Sequence, residues 1–126
     1  MKALAEFGAW IETAREMVCF RLKESDPTMP ETWSALVHKV KQRADLQQQV
    51  FRVVKELFGL SDTEWLLLSS KFYNKRNGTF HPKTTPTKEA LQMLNDLPSE
   101  FVAHREVFEK LVYAVDNLDG KEGFVI

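Results

Sequence analysis

Residues 50–65 read VFRVVKELFGLSDTEW, and this stretch decides the fold. Its first part carries apolar residues at the three- and four-residue spacing of an amphipathic helix. Gly59 predicts the end of that helix, because glycine readily adopts the left-handed conformation that closes one. Ser61 and Glu64 then form a capping-box pattern, in which each side chain accepts a hydrogen bond from the other residue's backbone N–H. Two helices joined by a tight turn are therefore expected here.

The same periodicity extends toward the start of the chain. It predicts a helix over about residues 2–23, with Trp10 and Met17 beside its main stripe. The apolar stripe consists of Leu4, Phe7, Ile11, Ala14, Val18 and Leu22. Residues 24–30 contain two prolines and form a loop, and Pro30 suits the first turn of the next helix. The polar residues 41–49 are either a solvated continuation of that helix or a brief interruption.

Helical patterns also follow the capping box. The helix that begins at Ser61 is expected to run to about Lys75 or Arg76, and it is apolar most of the way round, which predicts a central position in the core. Thr85-Pro86 begins another helix, and a last one carries an apolar stripe. That stripe consists of Phe101, His104, Phe108, Leu111, Val115 and Leu118.

These patterns predict an all-α fold, a single compact bundle of five or six helices. The expected organisation is one domain over residues 1–126, with the first helix at 1–23, a loop at 24–30, a helical core at 31–118 and a flexible tail at 119–126. The chain shows no internal repeat and no period-two strand pattern.

Composition limits the classes of function. The chain has 17 basic and 18 acidic residues, so it has no overall attraction to nucleic acid, and such binding would need a local patch. Its one cysteine, Cys19, cannot form an internal disulfide. The first residues, MKALAEFGAW, lack an apolar run of signal-peptide length, and no stretch has the length of a membrane span. We therefore expect an intracellular, cytoplasmic protein that does not contact the membrane.

Arg76, Asn77 and His81 form the clearest candidate site. Arginine is a permanent cation whose planar donors can hold a phosphate, and histidine transfers protons near neutral pH. Metal-independent RNA cleavage needs a base, an acid and positive charge at phosphorus. Asn77 would fix the backbone or orient the nucleotide. One histidine is a group short for this chemistry, which suggests that two chains share one site. The alternative is an arginine at a helix C-terminus followed by a loop histidine.

This segment, Arg76-Asn77-x-x-x-His81-Pro82, resembles the motif of the HEPN family of helical domains, in which four to six residues separate the arginine from the histidine. The resemblance implies a metal-independent endoribonuclease that acts as a homodimer, with two motifs meeting at the interface and no cofactor. Arg76 and His81 match the motif positions, and Asn77 matches the preferred polar position. Many members of the family are inactive adaptors. The resemblance is therefore also compatible with a non-catalytic protein–protein interaction module.

Basic residues surround the motif. We expect Lys71, Lys75, Lys83 and Tyr73 to contact RNA, because cations interleaved with aromatic rings suit a single strand. The alternative is a solvated helix end whose aromatic residues are packed in the core. A third possibility is that residues 41–49 and the neighbouring helices bind a partner protein, which an exposed apolar patch on the 50–58 helix would support.

The remaining candidates have simpler interpretations. His104 lies on an apolar stripe, which is typical of a core or rim histidine, although it could serve as a second proton carrier. His38 is expected at the surface, and Cys19 is expected to be packed rather than reactive. No histidine has a Cys, Asp or Glu at ligand spacing, so we expect no metal site.

Overall fold

The structure, a computed structural model, describes residues 2–72, 86–97 and 99–118. This part of the chain contains six α-helices: α1 (Lys2–Ser25), α2 (Trp33–Val40), α3 (Ala44–Phe58), α4 (Asp62–Leu66), α5 (Thr87–Gln92) and α6 (Arg105–Leu118). A π-helical turn, Leu67–Phe72, continues α4, and two 3₁₀ turns lie at Met93–Asp96 and Ser99–His104. No strand occurs within the described ranges. The predicted all-α bundle is confirmed.

Helix α1 lies at the centre of the bundle and packs against α2, α3, α6 and the π-helical turn. From Phe7 onward the stripe predicted for it is buried, together with Trp10 and Met17 beside it. The buried apolar residues of α1 are Phe7, Trp10, Ile11, Ala14, Met17, Val18, Cys19 and Leu22. The helix ends at Ser25, slightly later than the pattern predicts. Among the described helices, none is long and apolar enough to cross a membrane.

Helix α2 begins later than expected. The hydroxyl of Thr32 accepts a hydrogen bond from the backbone N–H of Ala35 at 3.2 Å, so Thr32 caps the helix. Pro30 therefore lies before the cap, and its predicted place in the first turn is wrong. A threonine side chain satisfies an otherwise unpaired N–H, which proline cannot do. Since α2 ends at Val40 and α3 begins at Ala44, the polar region contains a brief interruption.

The turn between α3 and α4 confirms the signals in residues 50–65. Gly59 closes α3 with φ 68°, in the left-handed region. The Ser61 hydroxyl accepts from the Glu64 backbone N–H at 3.2 Å, and the Glu64 carboxylate accepts from the Ser61 N–H at 2.9 Å. Glu64 also pairs with Lys110 of α6 at 3.1 Å. The capping box thus begins α4 and ties it to α6.

The helix after the capping box differs from its prediction. Regular α-helix stops at Leu66, and the next six residues, Leu67–Phe72, form the π-helical turn. Trp65 and Leu68 are buried, but Leu66 is 44% exposed, so this segment is not buried all round. An uninterrupted α-helix over this region was therefore a wrong prediction.

The C-terminal part of the bundle contains the predicted apolar residues in a different local structure. The expected last helix is divided into the 3₁₀ turn Ser99–His104 and α6. Arg105, at the junction, bonds the Asn95 side chain at 2.8 Å and Glu109 at 3.1 Å. Phe101 and Phe108 are both buried. Residues 73–85 and the predicted flexible tail, 119–126, lie outside the described residues.

Candidate binding groove beside helix α2

The sequence-predicted site falls almost wholly outside the described part of the chain. The residues concerned are Tyr73, Lys75, Arg76, Asn77, His81 and Lys83. Lys71 contributes its backbone to the π-helical turn, and its side chain is outside the description. The RNA-binding and catalytic assignments therefore stay predictions.

A cavity of about 330 Å³ lies among α1, α2, α3, α4 and the π-helical turn. We call it the α2 groove. Its lining is mainly apolar, with a few polar groups, which is the usual composition of a binding site. The residues that line it are Arg15, Trp33, Leu36, Val37, Val40, Lys41, Gln47, Val50, Phe51, Trp65, Leu66 and Ser69.

Three aromatic rings support the groove from inside. Trp65 is buried and stacks against Phe58, with ring centroids 6.1 Å apart and planes at 18°. The half-buried Trp33 meets Trp65 edge to face, at 5.7 Å and 78°. Such pairs contribute about 0.5–1.5 kcal/mol beyond the area they bury. The capping box at Ser61 positions Trp65 and so helps to fix this wall.

Arg15 connects the groove to the π-helical turn. Its guanidinium carbon lies 5.3 Å from the centroid of a Trp33 ring, and one guanidinium nitrogen donates a hydrogen bond to the Ser69 backbone carbonyl. A π turn departs from the regular α-helical ladder, so a carbonyl within it can accept from a side chain. The cation is therefore held between an aromatic face and a backbone acceptor.

The rim of the groove leaves apolar surface in solvent. Val37 of α2 is 37% exposed and Leu66 of α4 is 44% exposed. Their neighbours Leu36 and Trp65 are almost completely buried. Single exposed apolar residues are common on proteins, but here two of them line the same concave site.

A second recess continues the surface on the other side of Arg15 and Trp33. Its volume is about 590 Å³, and it shares Arg15, Trp33, Val37 and Lys41 with the α2 groove. The residues that it adds are Glu12, Thr32, Ser34 and His38. We call it the polar recess. The two concave regions therefore adjoin at these shared residues, and the lining of the α2 groove is the more apolar of the two.

The charges at the α2 groove are of one sign. Arg15 and Lys41 are its charged lining residues within the described ranges. Glu12 enters only in the polar recess. An acidic ligand group would meet two cations at the point where the two regions join, which favours its binding there.

Cys19 is unsuited to nucleophilic chemistry. Burial, and after it the charges of Glu16 and Glu12, raise the pKa of the Cys19 thiol to about 11, while the charge of Arg15 opposes them. The pKa of Glu16 is also raised, first by burial and then by Glu12. Since the thiolate is the reactive form, the packed thiol is inert near neutral pH. The prediction of a packed cysteine agrees with its burial.

The two described histidines lie apart from one another in the fold. His38 is exposed on α2 and lines the polar recess, and His104 is half-buried where the 3₁₀ turn meets α6. Within the residues that the structure describes, no three His, Cys, Asp or Glu side chains gather as metal ligands would. His81, the histidine of the predicted motif, lies outside those residues.

Sequence reasoning did not predict the α2 groove. From the sequence, Trp33 and Trp65 are most simply core residues, although an exposed tryptophan would mark an interface, and Leu66 lies in a helix that is apolar most of the way round and was expected in the core. One feature of the sequence pointed to the groove: Arg15 lies within the apolar face of α1, between Ala14 and Met17 in the chain. A cation in that position is rarely buried without a partner, so it indicates a nearby polar site.

Comparison with protein-family models, curated proteins and solved structures gives no match for this chain. The resemblance to the HEPN family at Arg76–His81 therefore remains a prediction from the motif. Functional inference rests on the geometry of the groove and on the sequence of the motif.

Proposed function

We propose that the chain is a helical interaction module that binds another protein through the α2 groove. The observation that carries this proposal is the exposure of Val37 and Leu66 on the rim of one apolar cavity. Covering the exposed part of each side chain would contribute on the order of 1 kcal/mol. This function corresponds to the non-catalytic alternative among the sequence-based hypotheses.

The shape of the surface supports a protein partner. The α2 groove and the polar recess share four lining residues, so one occupant can contact both regions. Peptide segments bind in this way, with apolar side chains in a groove and polar ones along its edge. Two residues of the segment 41–49, for which the sequence suggested a partner-binding face, contribute to this surface: Gln47 lines the α2 groove, and Lys41 lines both concave regions.

A selection of short displayed peptides on the immobilised chain tests the proposal. The discriminating variant is Val37→Asp with Leu66→Asp, which places charge on the rim. The matched control is Val102→Asp with Tyr113→Asp, because these side chains are 56% and 58% exposed and do not line the groove. Circular dichroism establishes that both variants are folded.

We expect selected peptides to bind the parent and the control alike. Binding to the rim variant should weaken by about tenfold or more, since a charge in an apolar site must be desolvated. Peptides that bind both double variants equally, or a selection that yields no binder, would contradict the proposal.

A second candidate function is the metal-independent endoribonuclease that the HEPN resemblance implies, acting as a homodimer. The observation that supports it is the π-helical turn, which ends at Phe72, shortly before Arg76. Such turns are frequent at functional sites. In this hypothesis Arg76 holds the phosphate, His81 transfers protons and Asn77 orients the backbone or the nucleotide.

RNA cleavage in the presence of EDTA tests the second candidate. The hypothesis expects cleavage that survives the chelator and leaves 2′,3′-cyclic phosphate ends. His81→Ala and Arg76→Ala should each abolish it, and His38→Ala serves as the control. Absence of cleavage over a diverse set of RNAs, with all variants folded, would leave the interaction module as the function.

A further inference from the structure

We infer that the occupant of the α2 groove is a protein segment with an apolar anchor residue and an adjacent aspartate or glutamate, whose carboxylate binds Arg15 and Lys41. This inference rests on the proposed function and specifies its partner. It commits to a segment of another protein, because the surface combines an apolar cavity with two cations, Arg15 and Lys41, that line both concave regions, while Glu12 lines the polar recess alone.

The size of the cavity defines the anchor. A volume of about 330 Å³ lies at the lower end of the range for small-ligand pockets. It suits one or two apolar side chains rather than a large ligand. Trp33 and Trp65 form one wall, and the aliphatic residues Val40 and Val50 complete the lining. An aliphatic or aromatic anchor would meet apolar atoms on several sides.

The position of Arg15 defines the acidic neighbour. Arg15 lines both concave regions and now bonds the Ser69 carbonyl across the face of Trp33. A carboxylate is a stronger acceptor for a guanidinium than a neutral carbonyl, and its two oxygens match the planar donors. Lys41 is exposed and also lines both regions. A carboxylate next to the anchor would therefore lie within reach of two cations.

A single-stranded nucleic acid fits the groove less well. Bases bind such proteins by stacking on aromatic faces. Here Arg15 already lies over Trp33, and the buried Trp65 stacks against Phe58. The exposed rim side chains, Val37 and Leu66, are aliphatic and offer no ring for stacking. These contacts favour a protein segment.

A charge-reversal selection tests the inference. Displayed peptides are selected on the parent, on Lys41→Glu and on Lys88→Glu. Lys88 makes a matched control because it is exposed on α5 and does not line the groove. We expect Asp and Glu to be enriched beside the anchor on the parent and on Lys88→Glu. On Lys41→Glu that enrichment should disappear.

Paired peptides test the role of Arg15 without relying on its effect on folding. The affinities of a selected peptide and its Glu→Gln derivative are compared on the same protein. A general loss of structure weakens both peptides alike and leaves the ratio of their affinities unchanged. On the parent, the derivative should bind about tenfold more weakly, because a charge-assisted hydrogen bond is lost. The difference in affinity between the two peptides should be smaller on Arg15→Gln and partly restored on Arg15→Lys.

The possible results separate this inference from the proposed function. Peptides that require Val37 and Leu66 but show no acidic preference would overturn the inference and leave the interaction module standing. Peptides that do not require Val37 and Leu66 would overturn both. Displacement of a bound peptide by a short uridine oligonucleotide, lost in Trp33→Leu, would identify a nucleic-acid occupant and overturn the inference.

Discussion

Two pairs of aromatic rings in the described part of the chain differ in their exposure to solvent. Phe7 of α1 packs on Phe108 of α6 with ring centroids 5.6 Å apart, and both rings are fully buried. At the α2 groove, Trp33 meets Trp65 at a similar distance but remains half-buried, with Arg15 over its face. Aromatic density alone therefore does not separate core from site. Solvent exposure and a neighbouring cation distinguish the groove from the core.

The largest expected effect is on the closed cluster. Phe108→Ala should lower the free energy of unfolding by about 3–5 kcal/mol, because it removes a buried ring and leaves a cavity. Tyr113→Ala, on the exposed face of the same helix, should change it by no more than about 0.5 kcal/mol. Urea unfolding measures both. Equal losses in the two variants would mean that the Phe7–Phe108 contact is not part of the core.

A smaller loss is expected at the open cluster. Trp33→Ala removes the edge-to-face contact with Trp65 and the cation–π contact with Arg15, which together contribute about 1–2 kcal/mol. The same urea experiment measures the change, and peptide binding should be lost in parallel. A loss as large as that of Phe108→Ala would show that Trp33 is a core residue and that the comparison fails.

The start of α4 links the two clusters, and its stability should depend on pH. The pKa of Glu64 is lowered, first by the Ser61 backbone N–H and also by Lys110. A lowered folded-state pKa means that Glu64 stabilises the fold above its unfolded-state pKa, and that this contribution is lost as the pH falls through the folded-state value.

Glu64→Gln should therefore be less stable than the parent at neutral pH, by on the order of 1 kcal/mol once solvent screening is considered. The difference should close as the pH falls through the lowered folded-state pKa of Glu64, where the parent carboxyl becomes protonated. Urea unfolding between neutral and acidic pH measures it. A difference that stays constant with pH would mean that the carboxylate charge has no role in the cap.

The smallest effect on stability is expected at the rim of the groove. Val37→Ser with Leu66→Ser should change the free energy of unfolding by less than about 1 kcal/mol, since both side chains are already well exposed. Binding of selected peptides should nevertheless be lost. Thermal unfolding and fluorescence anisotropy measure the two properties. A large destabilisation would show that these residues belong to the core instead.

Local sequence signals predicted most of the fold. The apolar stripe of α1, the glycine that ends α3 and the Ser61–Glu64 capping box all depend on residues close together in the chain. The π-helical turn was not predictable in this way, because the Ser69 carbonyl bonds Arg15, which is distant in the sequence. Leu66 lies in a helix that was expected in the core because of its apolar pattern. Such a pattern does not show which part of the helix the neighbouring helices leave uncovered.

The candidate sites differ in how far the sequence could reveal them. The Arg76–His81 motif is visible because its residues are adjacent, and it lies outside the described part of the structure. The α2 groove combines residues from α1, α2, α3, α4 and the π-helical turn. Its members share no local pattern, so only the packing of the helices brings Arg15, Trp33 and Leu66 to one surface.

The packed thiol of Cys19 makes the chain suitable for site-specific labelling. Because it is the one cysteine of the chain and is buried in α1, a cysteine introduced at Val37 would be the reactive thiol of the folded protein. A dye at that position would report occupancy of the groove, and one at Tyr113 would give the background. Slow modification of Cys19 itself would measure how often α1 opens, since the thiol reacts only when its packing is lost.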